Sequence, residues 1–167
     1  MPIRITEADV EQDIDVFVSL LNSSRSHQVD RRRFEWLYLD NPRGKARAWF
    51  AVDEHTDSPV AFTSVLPRLV RVQGRDVLSW NCADFSVLPR YRSLGVALML
   101  RRAAKEAVDS GAVPALYAHP NAKMQVVHER IGHTCIGKMQ RFARAVRAES
   151  YIARKTGSQS VAALGGL

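Results

Sequence analysis

One short segment of this sequence combines the residue types that bind phosphate groups: Arg92-Ser93-Leu94-Gly95-Val96-Ala97. It follows an apolar, strand-like stretch that ends at Val87 and opens a helix-like stretch with an apolar stripe. A helix N-terminus offers free backbone N–H groups, glycine lets an anion approach the main chain, and arginine adds forked donors. The spacing predicts a site for a phosphate-bearing cofactor. The alternative is that Gly95 only starts a helix and Arg92 is a surface charge.

Other side chains could handle an amine. Asp84 lies three residues before Val87 on the same predicted strand and could accept an amine proton, directly or through water. It could equally be a strand-edge carboxylate paired with an arginine. Asn81 could orient a water molecule but cannot act as a base. Trp36 lies near a predicted second helix and is a candidate for contact with a substrate.

The histidines and cysteines do not indicate a metal site. The three histidines in the second half of the chain are loosely spaced, and no nearby carboxylate or cysteine completes a ligand set. Cys82 and Cys135 form neither a CxxC motif nor a disulfide framework. Cys82 also lacks an evident histidine partner, so the sequence indicates no activated nucleophile.

The elements that must position these residues follow from periodicity and turn signals. A capping box at Thr6-x-x-Asp9 predicts the first helix, and Asp30 and Asn121 are expected to begin later ones. Arg101 is expected to face water, because it falls outside the apolar stripe of the helix that starts near Gly95. The strands are expected at residues 3–5, 46–52, 60–72, 77–87, 114–118, 133–137 and 139–146. This order predicts a mixed α/β fold rather than a doubly wound sheet.

Composition bounds the class of protein. With 167 residues, 46% hydrophobic and 25% charged, the chain is expected to form one globular domain over residues 1–147. Residues 148–167 are rich in Ser, Gly and Ala, which predicts a poorly ordered tail. No apolar run reaches the ~18 residues of a membrane span, and no signal-peptide pattern opens the chain. We therefore expect a cytoplasmic protein without a membrane partner.

The net charge of +7 raises nucleic acid as a partner. The basic residues are scattered, with one cluster at residues 31–33, and few aromatic residues are interleaved among them. This pattern favours a solvated surface that tolerates anionic ligands over a nucleic-acid-binding protein.

Taken with the order of elements, the segment at residues 92–97 resembles the signature of the GNAT superfamily of acyl-CoA-dependent N-acetyltransferases. That signature is Arg or Gln, two residues, Gly, one residue, and Gly or Ala, here Arg92 to Ala97 after Val87-x-Pro89-x-Tyr91. The resemblance covers residues 3–147. Asn121 matches the family's asparagine after the fifth strand, but His128 stands where the family often has a tyrosine.

The resemblance implies a central, mixed, mostly antiparallel sheet flanked by helices, with acetyl-CoA as donor, no metal, and a small-molecule or peptide amine as acceptor. The pantetheine arm would lie between the strand ending at Val87 and the strand at 114–118, pairing with the main chain near Phe85 and Val87. The Val87 N–H would serve as an oxyanion donor. The pyrophosphate would contact residues 92–97, and Asn121 would meet the cofactor.

The resemblance further implies direct attack of the amine in a ternary complex. His128 would take the role of the tyrosine that protonates the CoA thiolate, although a half-buried helix residue is the simpler interpretation. The region of Trp36 would line the acceptor pocket. The family also leaves a homodimer open. The missing tyrosine keeps an alternative function in view, a non-catalytic acyl-CoA-binding or regulatory module.

Overall fold

The computed structural model describes residues 2–93, 95–140 and 142, and the Met1–Cys135 segment forms one compact unit. Leu94 and the predicted tail at 148–167 lie outside the described residues. The strand expected at 133–137 is wrong, because those residues have no regular secondary structure. Of the strand expected at 139–146, residues 139, 140 and 142 are described, and they are not in a strand either.

The described residues form a five-stranded mixed sheet with the spatial order β1-β2-β3-β4-β5. The first four strands are antiparallel, and β5 runs parallel to β4. The long β3–β4 hairpin turns at Gln73 and Gly74, both at positive φ, as a tight hairpin turn requires. The strands are β1 (Ile3–Glu7), β2 (Arg47–Asp53), β3 (Ser58–Val72), β4 (Arg75–Val87) and β5 (Leu116–Tyr117).

Helices cover both faces of this sheet. They are α1 (Ile14–Asn22), α2 (Arg31–Phe34, continued as a π-helix over Glu35–Leu39), α3 (Val96–Asp109) and α4 (Ala122–Arg130), with a 3-10 turn at Pro89–Tyr91. None of the described helices is long and apolar enough to span a bilayer. The mixed α/β fold predicted from the sequence is confirmed.

The helix starts predicted at Asp30, Gly95 and Asn121 are correct, and the one predicted at Thr6 is wrong. Asp30 caps α2, since its carboxylate accepts the Arg33 N–H at 2.9 Å, and Asn121 caps α4 in the same way. The first predicted helix is present as α1, but it does not begin at Thr6. Thr6 pairs with Phe50 in the sheet, because β1 continues through it. The apolar residues with helical spacing that follow Thr6 form a helix only from Ile14, where α1 begins.

Each face of the sheet has its own hydrophobic core. Phe17 of α1 lies at the centre of the first, with its ring 4.9 Å from that of Phe50 and 5.1 Å from that of Phe62. On the opposite face, α3 packs Val96 and Leu100 against the sheet. The two cores fix α1 and α2 on one side of β4 and α3 on the other.

Candidate functional site

The candidate site is a cleft of about 360 Å³ where β4 and β5 separate. The two strands pair only at Trp80 with Leu116 and at Asn81 with Tyr117. Beyond Asn81, β4 continues for six residues, while β5 ends and the chain turns toward α4. On the edge of β4 that faces away from β3, no strand of the described residues pairs with this part of the strand. The cleft is lined by residues 82–85 on one side and by 118–121 on the other, with Arg25, Arg101, Met124 and His128 completing it.

The open edge of β4 presents main-chain donors to the cleft. Leu88 donates its N–H to the Val60 carbonyl of β3 at 3.0 Å. Because N–H groups alternate in direction along a strand, those of Val87 and Phe85 point away from β3 and toward the open edge. The register also shifts between Thr63 and Val65 of β3, and such a bulge re-aims the main chain locally. The edge can therefore pair with an extended ligand.

The loop after β4 is anchored at its base. The Tyr91 hydroxyl, which is buried, donates to Oδ2 of Asp53 at 2.6 Å. This bond lowers the pKa of Asp53, helped by the N–H of His55. The exposed Arg92 folds back so that its Nε donates to the Val87 carbonyl at 3.1 Å. The predicted phosphate-binding loop is thus tied both to β2 and to the open edge.

The start of α3 has the geometry of an anion site. Gly95 is the N-cap and has φ +76°, a left-handed conformation that favours glycine. No side chain among the described residues caps this helix end. The N–H groups of Val96 and Ala97 belong to its first turn, where backbone donors lack helical partners. Ser93 also has positive φ, at +73°, which is uncommon for a residue with a side chain.

Asp84 is bonded to two arginines from the side of the sheet that carries α1 and α2. Arg33 donates to it through Nη1 at 2.7 Å and Nη2 at 3.0 Å, and Arg25 donates through Nη2 at 3.3 Å. The Tyr38 hydroxyl donates to Oδ2 at 3.3 Å, and burial, together with the Asp84 charge, raises the pKa of that phenol well above its usual value. The structure therefore shows Asp84 in an ion pair with arginines, which was the alternative to its role as a proton acceptor. The role of Asp84 as a base stays a prediction.

Arg101 does not face water, and the sequence expectation for it is wrong. Its side chain is buried, with 4% of its surface exposed, beneath the cleft. The guanidinium carbon lies 5.3 Å from the centroid of the Phe85 ring, and Nη2 donates to the Ala83 carbonyl at 3.4 Å. Burial lowers the pKa of Arg101 and raises the pKa of the neighbouring Cys82 thiol. The interaction between the two groups shifts each pKa in the opposite direction, but burial outweighs it.

His128 lines the cleft from α4 and is 4% exposed. Burial, the Arg101 charge and His133 lower the pKa of His128 to about 4. Its Nδ1 is buried and has no hydrogen-bond partner among the described residues. The ring is therefore neutral at neutral pH, whereas an unperturbed histidine would titrate near pH ~6.5. Only the neutral ring is available for a role in proton transfer.

The remaining candidates divide between the cleft and the surface. Asn121 lines the cleft, and its side chain also accepts the Met124 N–H at 3.0 Å as the α4 cap. Asn81 lies at the last β4–β5 pair, beside the mouth of the cleft. Trp36 is 65% exposed and lies in a separate surface depression with Asp30 and Arg32. The structure thus brings Asp84, Phe85, Asn121 and His128 to one cleft, and it does not bring Trp36 there.

Sequence reasoning missed Arg25, Arg33 and Arg101 as parts of this site. Arg25 and Arg33 lie more than 50 residues before Asp84, so no local spacing connects them. Arg101 was missed because a charged residue on an amphipathic helix is expected to face water. Among the described residues, no group of three or more metal-ligating side chains occurs.

Comparison with solved structures identifies the fold. The glucosamine-6-phosphate N-acetyltransferase of Arabidopsis thaliana aligns with 87% of this chain and 99% of its own, at 16% identity and a TM-score of 0.63. AAC(6')-Iy, solved with the bisubstrate analog CoA-S-monomethyl-acetylneamine, aligns over 87% and 99% at 16% identity and 0.66. The aminoglycoside antibiotic 6'-N-acetyltransferase AAC(6')-Ih of Acinetobacter baumannii aligns over 87% and 99% at 15% identity and 0.63.

No family model and no curated protein matches the sequence itself. The likeness is therefore one of fold, and at that level it is consistent: the structural neighbours are GNAT acetyltransferases, and they cover most of the chain. The resemblance first drawn from residues 92–97 is confirmed as a resemblance of fold.

Proposed function

We propose that this chain, which has the fold of the GNAT acetyltransferases, transfers an acetyl group from acetyl-CoA to a primary amine. The observation that carries the proposal is the open edge of β4, which leads from the cleft to the uncapped start of α3. An extended ligand with a pyrophosphate at one end needs such a path, with strand-like pairing along it and helix N–H groups at its end. The neighbour solved with a CoA bisubstrate analog supports the same assignment.

The donor half of the site follows from the main chain. We assign the pantetheine arm to the edge at Phe85 and Val87, whose N–H groups point into the open side of β4. The pyrophosphate is assigned to the first turn of α3 at Val96 and Ala97, with Arg92 and Ser93 beside it. The Leu94 position of the same segment is assigned with them from sequence alone. A Cβ built on Gly95 would meet no protein atom within 4 Å, so the chain leaves room for a ligand there.

The reaction is an acyl transfer without a covalent enzyme intermediate. The amine nitrogen attacks the thioester carbonyl carbon, the new N–C bond forms, and the C–S bond breaks with its electron pair on sulfur. The Val87 N–H is assigned to the developing oxyanion. The neutral amine nitrogen loses one proton and the thiolate gains one, so the products are an amide and free CoA. An acceptor that binds as an ammonium ion first releases a further proton, which Asp84 is proposed to accept directly or through water. Most of the rate enhancement comes from holding the two substrates together.

Asp84 is proposed as the group that receives the amine end of the acceptor. Arg25 makes the longest of its charged contacts, 3.3 Å, and the side chain of Arg25 is 42% exposed. An incoming ammonium group could therefore replace Arg25 on Oδ1, while Arg33 keeps its two bonds. His128 is proposed as the neighbour of the leaving sulfur. Its neutral ring can donate an N–H hydrogen bond to a thiolate without first being protonated.

The acceptor class follows from the neighbours by analogy of fold alone. Their names specify amines on aminoglycosides and on glucosamine 6-phosphate. We propose an amine on a small molecule or a peptide, with Asn81 near the cleft mouth in contact with it. Trp36 would contact only an acceptor that extends over the surface, since it lies outside the cleft.

The test is to supply acetyl-CoA with a broad panel of amines, measure CoA binding by calorimetry and follow the release of free thiol. Binding and amine-dependent release are the expected results. Binding of CoA without turnover on any amine would favour the non-catalytic acyl-CoA-binding module. Absence of CoA binding by the folded protein would contradict the proposal.

A further inference from the structure

Arg101 leaves part of its hydrogen-bonding capacity unused in the interior. Its Nε and Nη1 are buried and have no hydrogen-bond partner among the residues the structure describes. The guanidinium makes a 3.4 Å hydrogen bond from Nη2 to the Ala83 carbonyl and also contacts the uncharged Cys82 thiol, a weak acceptor. A buried cation that is not paired costs free energy, so such groups are normally found with a partner. The arrangement points to a partner that the described residues do not supply.

The charges around the cleft do not neutralise Arg101. Asp84 is the one acidic side chain among the described residues that line the cleft, and it is already bonded to Arg33 and Arg25. The cleft region thus holds three arginines and one carboxylate. His128 is neutral at neutral pH, and burial keeps the Cys82 thiol protonated by raising its pKa. The cleft region therefore carries an excess of positive charge, which favours a negatively charged ligand.

Arg101 is poorly placed to serve the CoA pyrophosphate. It lies six residues beyond the Gly95 cap, so its backbone is about 9 Å along α3 from the proposed phosphate site. Its guanidinium instead lies against Phe85 and the Ala83 carbonyl, farther along β4 from the proposed phosphate site than the Val87 N–H assigned to the thioester oxygen. An acetyl group carries no charge, and its single acceptor, the carbonyl oxygen, is already assigned to the Val87 N–H.

We propose that Arg101 binds a carboxylate that one of the two substrates carries close to the transferred acyl group. This inference rests on the proposed acyltransferase function and specifies its substrate class. A carboxylate provides the charge and the acceptor lone pairs that the guanidinium lacks. It has two sources: the free end of a dicarboxylic acyl group on the CoA donor, or the carboxylate of an amino-acid acceptor.

The donor arm of the test compares succinyl-CoA, acetyl-CoA and CoA by calorimetry on the wild-type protein, Arg101→Met and Arg102→Met. Arg102 is the exposed neighbour on the same helix and provides the matched control. If the donor carries the carboxylate, succinyl-CoA binds about ten- to hundredfold more tightly than acetyl-CoA. That preference is lost in Arg101→Met and kept in Arg102→Met, while CoA itself binds all three proteins.

The acceptor arm uses acetyl-CoA as donor and compares β-alanine with propylamine, which lacks the carboxylate. If the acceptor carries the carboxylate, β-alanine has the lower KM by a similar factor. Arg101→Met removes the difference and Arg102→Met does not. The wild-type comparison stands even if Arg101→Met fails to fold.

The outcomes separate the two proposals. If CoA and acetyl-CoA bind but neither arm shows a preference for the carboxylate, the Arg101 inference is overturned and the acyltransferase assignment survives. A preference that persists in folded Arg101→Met also overturns it. If CoA does not bind at all, the proposed function fails and the Arg101 inference fails with it.

Discussion

Arg33 holds Asp84 through two hydrogen bonds, from Nη1 to Oδ2 at 2.7 Å and from Nη2 to Oδ1 at 3.0 Å. Arg33 belongs to α2, and Asp84 lies on β4 where the register shifts against β3. The pair therefore fastens a short helix to the strand that forms one wall of the cleft. A bidentate pair also fixes the orientation of the carboxylate, which a lysine could not do as well.

Asp84→Asn should destabilise the protein by about 2 kcal/mol, because it removes charged hydrogen bonds from a buried carboxylate to arginines that are themselves partly exposed. Urea denaturation measures the change. Asp15→Asn is the control, since its bond to Arg31 at 2.9 Å is exposed and should be worth at most about 1 kcal/mol. Equal losses in the two variants would show that the Asp84 pair has no special role.

His128 should make the protein less stable in mild acid. The folded-state pKa of about 4 lies below the unfolded value near ~6.5, so the unfolded chain binds the extra proton first. The contribution of His128 is fully retained above pH ~6.5 and is lost as the pH falls toward 4. In His128→Phe, the free energy of unfolding should fall less steeply across this window, whereas exposed His119→Phe should follow the wild type. His133, whose pKa is also lowered, accounts for part of the remaining slope.

The same variant tests the chemical role of His128. If its ring assists the leaving thiolate, His128→Phe should lower kcat, and a neutral ring predicts that the wild-type kcat shows no titration of His128 between pH 5 and 8. Turnover equal to that of the wild type at every pH would show that His128 takes no part in proton transfer.

Tyr91→Phe should loosen the loop that leads into α3. The change removes the 2.6 Å bond to Asp53 and leaves a buried carboxylate with one donor fewer, so the pKa of Asp53 should rise. We expect a lower free energy of unfolding and weaker CoA binding, measured by denaturation and calorimetry. Tyr117→Phe, a half-buried tyrosine on β5, is the control and should change the free energy of unfolding less. An unchanged CoA affinity in Tyr91→Phe would show that the bond between Tyr91 and Asp53 does not contribute to CoA binding.

Local sequence signals were sufficient to predict the strand, turn and helix that the proposed donor half of the site uses. The change from strand to turn to helix around Gly95 depends on φ preferences and periodicity that a few neighbouring residues determine. Asn121 was equally readable, because a cap acts within three residues of itself. The β5 edge was placed correctly, although the strand is shorter than its apolar run suggested.

The contacts of the charged side chains in the cleft could not be predicted from local sequence. The partners of Asp84 come from distant parts of the chain, and only the packing of α2 on the sheet brings them together. Arg101 contradicts the amphipathic pattern of its own helix, since a charged residue is buried on the face that packs on the sheet. Departures of this kind from local rules are expected where a structure serves a ligand rather than its own stability.

The measurement that tests the central claim most directly is CoA affinity in two glycine variants of α3, Gly95→Leu and Gly111→Leu. Both glycines have positive φ, +76° and +94°, and neither has a protein atom within 4 Å of a Cβ built on it, so both changes strain the backbone similarly. Only Gly95 lies at the helix end assigned to the pyrophosphate. We predict that Gly95→Leu lowers CoA affinity by at least about tenfold, while Gly111→Leu binds CoA like the wild type. A folded Gly95→Leu protein with unchanged CoA affinity would contradict the account.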